Sequence, residues 1–337
     1  MTRFQRLALV AFICVEVLIF VGAIVRVTGS GLGCPDWPFC YGRWVPPTSV
    51  EQIDFTKLDL AKFKVKAARL GRDPDAITEA SIRAEFDPVA TWVEYLNRLT
   101  SLPVGLSVLA LFIASFGEWR RGRFIVFLAA LASLVLVGLN AWLGARVVLS
   151  GLKPGTITLH MGLAILLLCV LVFTAWRGSE QPWRLAISSV AKGRSLQAIA
   201  LFLFALVVGE GLMGSQVREM TDALARSHAG QSRSLWIGEL EHSWVYLVHR
   251  SFSWLVLGLG ITFYRRAGSL LLRGAQWLEK SVLGLIIAQM LLGVVLSQIG
   301  IIHVAQVLHI GLSSLLVSAL FLWLLGSTAS KTASPSL

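Results

Sequence analysis

Three histidines able to hold a metal or move a proton, and one asparagine, stand at four matched places in a repeat of this chain. Glu94-Tyr95-Leu96-Asn97-Arg98 is echoed by Tyr246-Leu247-Val248-His249-Arg250, and Leu159-His160-Met161-Gly162-Leu163 by Leu308-His309-Ile310-Gly311-Leu312. Each run opens an apolar segment of helix length. A histidine inside such a segment is costly unless it faces an interior and has a partner. A single one is usually a packing residue. A repeated pair on alternate helices of a bundle is different, because facing helices set two imidazoles on opposite sides of one cavity. Heme, held by axial nitrogens, is the natural tenant. Zinc fits poorly at His249 and His309, where no thiolate or carboxylate completes a tetrahedral set.

The charged neighbours fit the same chemistry. Arg98 and Arg250 directly follow Asn97 and His249, and a guanidinium pairs bidentately with carboxylates such as heme propionates. Arg26 and Arg218 close two apolar runs, where propionate contact and snorkelling to the membrane surface are equally good readings. Glu94 lies three residues before Asn97 and so shares its helix face. Its counterpart is Tyr246, which makes the acid a feature of the first half alone. It is a candidate proton carrier or cation stabiliser. The plainer reading is an i, i+4 pair with Arg98, worth a few tenths of a kcal/mol. Glu16 and Glu210 are interior acids without an assigned role. His228, His242 and His303 sit in a loop, nearer water or on another face, and read as non-ligands.

The elements that position these groups are membrane helices. The 337 residues are 55% hydrophobic and 15% charged, with a mean hydropathy of +0.72. Apolar runs reach the roughly 20 residues that cross a bilayer. Eight spans are expected, at about 6–26, 95–116, 124–146, 157–176, 196–216, 243–264, 281–299 and 302–325. The first is a full span with no small-residue cleavage site, so it reads as a helix that stays rather than a signal peptide. The net charge of +11 does not point to nucleic acid. Its basic residues cluster between spans: Arg120, Arg121 and Arg123, then Arg177, Arg184, Lys192 and Arg194, then Arg265, Arg266 and Arg273. Arg3, Arg6 and Lys331 flank the ends. The positive-inside bias puts all of these, and both termini, in the cytoplasm.

The matched residues are 152 and 149 positions apart, so the halves stay in register. The fold expected is an all-α integral membrane protein whose eight transmembrane helices form two pseudo-symmetric four-helix bundles. These would be residues 1–180, including a long outer loop at 27–94, and residues 181–337, related as parallel repeats. In that loop, 55–70 and 75–86 read as short amphipathic helices on the outer membrane face, broken at Gly71-Arg72-Asp73-Pro74. Cys34 and Cys40 bracket five residues, two of them proline. A disulfide suits an outer loop; copper or free thiols are the alternatives. Cys14 and Cys169 read as packing residues.

The run Arg26-Val27-Thr28-Gly29-Ser30-Gly31-Leu32-Gly33-Cys34-Pro35-Asp36-Trp37-Pro38 resembles the heme A synthase family. So does the order of Glu94 three residues before a ligand position, then His160, His249-Arg250 and His309. The resemblance covers nearly the whole chain. It implies a multi-pass enzyme of the cytoplasmic (inner) membrane that oxidises a methyl group of heme O to the formyl group of heme A by successive hydroxylations and loss of water. It implies heme b on His249 and His309 in the second half and heme O as substrate on His160 in the first. Glu94 would be the catalytic acid and Cys34–Cys40 the outer disulfide. The partners implied are a heme O synthase, a terminal oxidase under assembly and an electron donor that the sequence does not name. A homo-oligomer is left open. Asn97 departs from the family pattern, which has histidine there. Either the substrate iron keeps an open face toward Asn97, which suits oxidation, or the half-site has decayed and the protein is a non-catalytic diheme electron carrier of the b type.

Overall fold

The computed structural model describes every residue except 35, 37–38, 70–72, 151–154, 187, 189, 229, 301 and 329–337. Pro35, Trp37 and Pro38 of the loop motif, the Gly71-Arg72 break and Lys331 therefore lie outside the described residues. Among the described residues the structure is all-α, with eight helices long and apolar enough to cross a membrane. These are α1 (Arg3–Val27), α4 (Pro88–Arg120), α5 (Phe124–Leu149), α6 (Thr156–Arg177), α7 (Val190–Ser227), α9 (Trp244–Leu270), α10 (Trp277–Val294) and α11 (His303–Ser327). Three short helices, α2 (Leu60–Arg69), α3 (Glu79–Glu85) and α8 (Arg233–Glu241), lie between them.

Local chemistry sets the ends, several of them beyond the apolar runs. Asp87 caps α4, its carboxylate accepting from the Val89 and Ala90 N–H groups at 2.8 and 3.1 Å. Pro88 fills the first helical position, where its missing N–H costs nothing. The helix thus begins seven residues before the apolar run that marks it in the sequence. With 38 residues, α7 is about 57 Å long, well beyond the roughly 30 Å of bilayer hydrocarbon. The extension is polar and helical, tied by the i, i+4 pair of Arg218 and Asp222 at 2.9 Å. A π-helical turn, Val295–Ile299, continues α10.

Helix contacts run in two closed rings, α1–α4–α5–α6 and α7–α9–α10–α11. Between the rings, α11 touches α1 and α6, and α6 touches α7. The α1–α11 seam is close because Gly311 faces Phe20, leaving no space for a β-carbon. Such small-residue contacts are how helices approach in lipid, where burial alone gives no drive. The buried Glu16 carboxylate accepts from Ser314 and Ser318 of α11 across that seam, at 2.6 and 3.4 Å.

The long loop differs from its sequence reading. The apolar sides of α2 and α3 do not lie free on a membrane face. Ala67 and Ile82 join Tyr41, Ile53, Leu58 and Ile77 in a small core around Cys34 and Cys40, with Phe55, Phe63, Phe86 and Tyr95 packed against it. The loop supplies its own apolar partners, so it folds on itself as a cap seated on the start of α4.

Candidate functional site

The second ring encloses a cavity of about 390 Å³, within the range of small-molecule and cofactor sites. His249 of α9 and His309 of α11 both line it. Each imidazole faces a glycine on the helix before it. A β-carbon on Gly214 would lie 3.4 Å from Cε1 of His249, and one on Gly293 would lie 3.9 Å from Cε1 of His309. The first ring repeats the device. Gly144 of α5 faces His160 at 3.3 Å, and Gly22 of α1 faces the Asn97 side-chain oxygen at 3.9 Å. The four matched positions are thus four polar groups, each set against a glycine that lets it lie close to the neighbouring helix.

The polar partners differ between the halves. His249 Nδ1 lies 2.8 Å from the Glu210 carboxylate of α7. Ser253 donates to the same carboxylate at 3.1 Å. This short contact, not aligned as a hydrogen bond, places a carboxylate behind the ring and leaves Nε2 as the nitrogen available to a ligand, as in a metal-binding histidine backed by a carboxylate. By the spacing of Gly22 and Arg26 against Gly214 and Arg218, Glu210 corresponds to Leu18. The first half therefore lacks both the imidazole, replaced by Asn97, and its carboxylate. His160 Nδ1, His249 Nδ1, His309 Nδ1 and Asn97 Oδ1 are buried without an aligned hydrogen-bond partner among the described residues, although His249 alone has a carboxylate within ion-pair distance.

Around the second cavity stand four guanidinium groups, those of Arg26, Arg218, Arg233 and Arg250. Arg250 was expected beside His249. Arg233 of α8 went unnoticed in the sequence, because a loop arginine carries no signal. Glu210 went unassigned because its partner is on another helix. His228, His242 and His303 lie outside this lining. His228 pairs with Glu239 at 3.4 Å, and His242 Nδ1 meets the Gly238 carbonyl at 2.6 Å.

Glu94 and Arg98 take their partners from the outer loop. Glu94 is 2% exposed. One carboxylate oxygen pairs with Arg98 and the other accepts from the Cys34 N–H at 2.7 Å. Arg98, read from the sequence as a propionate partner, spends both terminal nitrogens here. They donate to the carbonyls of Asp36 (3.1 Å), Phe39 (3.0 Å) and Cys34 (3.1 Å) as well as to Glu94. Cys34 and Cys40 are joined in a disulfide. Asp36 closes the turn inside it, accepting from the Tyr41 and Gly42 N–H groups, both at 2.7 Å. The loop presses on α4 at Gly33, where a β-carbon would lie 2.5 Å from the Ala90 carbonyl. The plain i, i+4 pair and the special acid thus turn out to be one cluster, which clamps the disulfide loop over α4.

Comparisons with known proteins place the chain in a family. Heme A synthase of Bacillus licheniformis is 25% identical over 264 residues, covering 74% of this chain and 72% of that protein. Heme A synthase of Shewanella oneidensis is 25% identical over 210 residues, covering 62% and 54%. Heme A synthase of Sphingopyxis alaskensis is 27% identical over 330 residues, covering 90% and 86%. The family model described as cytochrome oxidase assembly protein, COX15-CtaA, matches residues 5–321. With nearly its whole length matched and eight apolar helices in two rings, this chain belongs to the COX15-CtaA family of cytochrome oxidase assembly proteins.

Proposed function

We propose that this chain is a heme A synthase, oxidising a methyl group of heme O to the formyl group of heme A for cytochrome oxidase assembly. The observation that carries the reading is the second cavity: two histidines, one backed by a carboxylate, share an apolar chamber with an excess of guanidinium groups, in a chain of this family. The residues fit a resident heme b. The glycines opposite His249 and His309 leave space beside each ring, and the buried nitrogens without partners mark a chamber built for something polar. When bound, that heme supplies one-electron transfer. The chain's part is to orient His249 through Glu210, hold His309 on α11, and keep water out with an apolar lining.

The first half then takes heme O as substrate, with His160 as its ligand. Asn97 is a poor iron ligand, so the opposite face stays open for oxidation. Its unpartnered oxygen can accept a hydrogen bond there. Glu94, one helical turn away, fixes the outer loop above the site through Cys34 and Arg98 and places negative charge beside it. Both of its oxygens already accept hydrogen bonds, which suits charge placement better than proton transfer. We place the disulfide loop outside the cytoplasmic membrane and both termini inside, because Arg120, Arg121, Arg123, Arg177, Arg265 and Arg266 sit at the opposite helix ends. A heme O synthase supplies the substrate, a terminal oxidase receives the product, and an external donor supplies electrons.

The test is co-expression with a heme O synthase followed by heme extraction. Heme A in the extract supports the reading; hemes B and O alone, from a well-folded protein, refute it. Spectra of His160→Ala and His249→Ala assign the halves, because only the second should abolish a low-spin bis-histidine signal.

A further inference from the structure

We propose that Arg26, Arg218 and Arg233 form an anchor for the two carboxylates of the tetrapyrrole in the second cavity, and that Arg26 completes it across the seam from the first half. The proposal rests on reading that cavity as a heme site. All three side chains line the chamber that holds His249 and His309. Arg26 ends α1, and Arg218 lies on the extension of α7, so both stand at the end of the chamber nearer the disulfide loop. Arg233 is steadied by donating to the Leu296 carbonyl at 3.4 Å, where the π-helical turn follows α10.

What marks a ligand is the unfinished hydrogen bonding. Nε and one terminal nitrogen of Arg26, Nε of Arg218 and Nε of Arg233 are buried without an acceptor among the described residues. Buried guanidinium donors are rarely left so. The charges are unfinished as well. Asp222 stands 3.7 Å from Arg26 and 2.9 Å from Arg218, and Glu210 is engaged with His249. Glu219 is turned to the Gly155 N–H and the Thr158 hydroxyl, at 3.1 and 3.2 Å. Four guanidinium groups, counting Arg250, thus stand among three nearby carboxylates, those of Asp222, Glu210 and Glu219. The remaining positive charge and the unused donors suit a carboxylate-bearing ligand, because planar guanidinium groups pair with carboxylates. Arg98 cannot share this role, because its terminal nitrogens are taken by the loop.

The experiment is a titration of heme-depleted full-length protein in detergent with hemin and, separately, hemin dimethyl ester. The readout is growth of the bis-histidine absorption bands. Hemin should bind at least about tenfold more tightly than the diester. Arg26→Gln and Arg233→Gln should each shrink that ratio, and Arg26→Lys should restore part of it in a protein that elutes as wild type. Equal binding of both compounds would overturn the anchor while leaving the heme site standing. A full ratio in monodisperse Arg26→Gln would overturn the cross-seam contribution. If neither compound yields bis-histidine bands, the heme reading of the cavity falls, and the anchor with it.

Discussion

Glu210 offers a direct test of how the second half holds its ligand. Replacing it with leucine keeps an apolar side chain of similar bulk on α7. It leaves the Nδ1–H of His249 without the carboxylate now 2.8 Å away, and the Ser253 hydroxyl with only the His249 carbonyl, at 2.8 Å, as acceptor. Losing that charged partner costs about 1–3 kcal/mol. At 1.4 kcal/mol per decade, that is about 5- to 150-fold in affinity, and losses of about 10- to 100-fold follow removal of such supporting groups at metal sites. Glu210→Leu should therefore weaken heme binding by about that factor. It should also raise the midpoint potential, because a histidine without a carboxylate behind it donates less charge to iron. Glu210→Gln keeps an acceptor and should lose under about tenfold. The assays are heme titration of the depleted protein and a redox titration of the loaded one. If Glu210→Leu binds heme and titrates as wild type, the carboxylate does not orient His249 and the account of the site's asymmetry fails.

The reverse change asks the same of the first half. Leu18→Glu with Asn97→His should build the second-half arrangement there, adding a second low-spin signal and lowering heme A formation, both readable from one preparation. Gly33→Ala should lift the loop from α4, costing about 1–3 kcal/mol, seen as a lower midpoint of thermal unfolding in detergent. Arg98→Ala leaves three loop carbonyls without this donor and Glu94 without its cation; breaking such a buried pair costs about 3–5 kcal/mol. The Cys34–Cys40 bond should then be reduced faster by dithiothreitol, as followed by thiol alkylation. Burial pushes the Tyr41 hydroxyl up to about 12, above its ordinary value near 10. The cap's stability is then fully present below about pH 10 and falls as pH rises toward 12. Limited proteolysis across that window should show the loop opening, and Tyr41→Phe should flatten the dependence.

Much of this architecture is legible in the sequence because membrane helices announce themselves. Eight apolar runs and a repeat of short motifs suffice to place the spans and the polar positions on them. Helix ends are less visible, since α4 begins at a polar cap and α7 runs on through polar residues that hydropathy discounts. Side-chain partners are less visible still. Arg98 follows its ligand position as Arg250 does, yet one clamps a loop and the other lines a cavity. Nothing local separates them, because the difference lies in a disulfide loop some sixty residues away. Glu210 and Arg233 were missed for the same reason: their meaning comes from groups on other helices. The loop helices were misplaced because an amphipathic pattern shows that an apolar side exists and not what covers it.

The position of Arg26 on α1 also bears on biogenesis. Arg26 is synthesised 196 residues before Asp222, the acid that steadies it. At roughly 5–20 residues per second, the arginine waits on the order of ten to forty seconds for the helix it must meet. Until α7 has been inserted, the second chamber lacks the lining that α7 supplies, including Glu210 and Arg218. On the proposed reading, loading of that chamber with heme would therefore follow insertion of the whole chain. Before α7 is in place, Arg26 has no acid from that helix beside it, so the membrane-inserted first half carries this cation unpaired by Asp222.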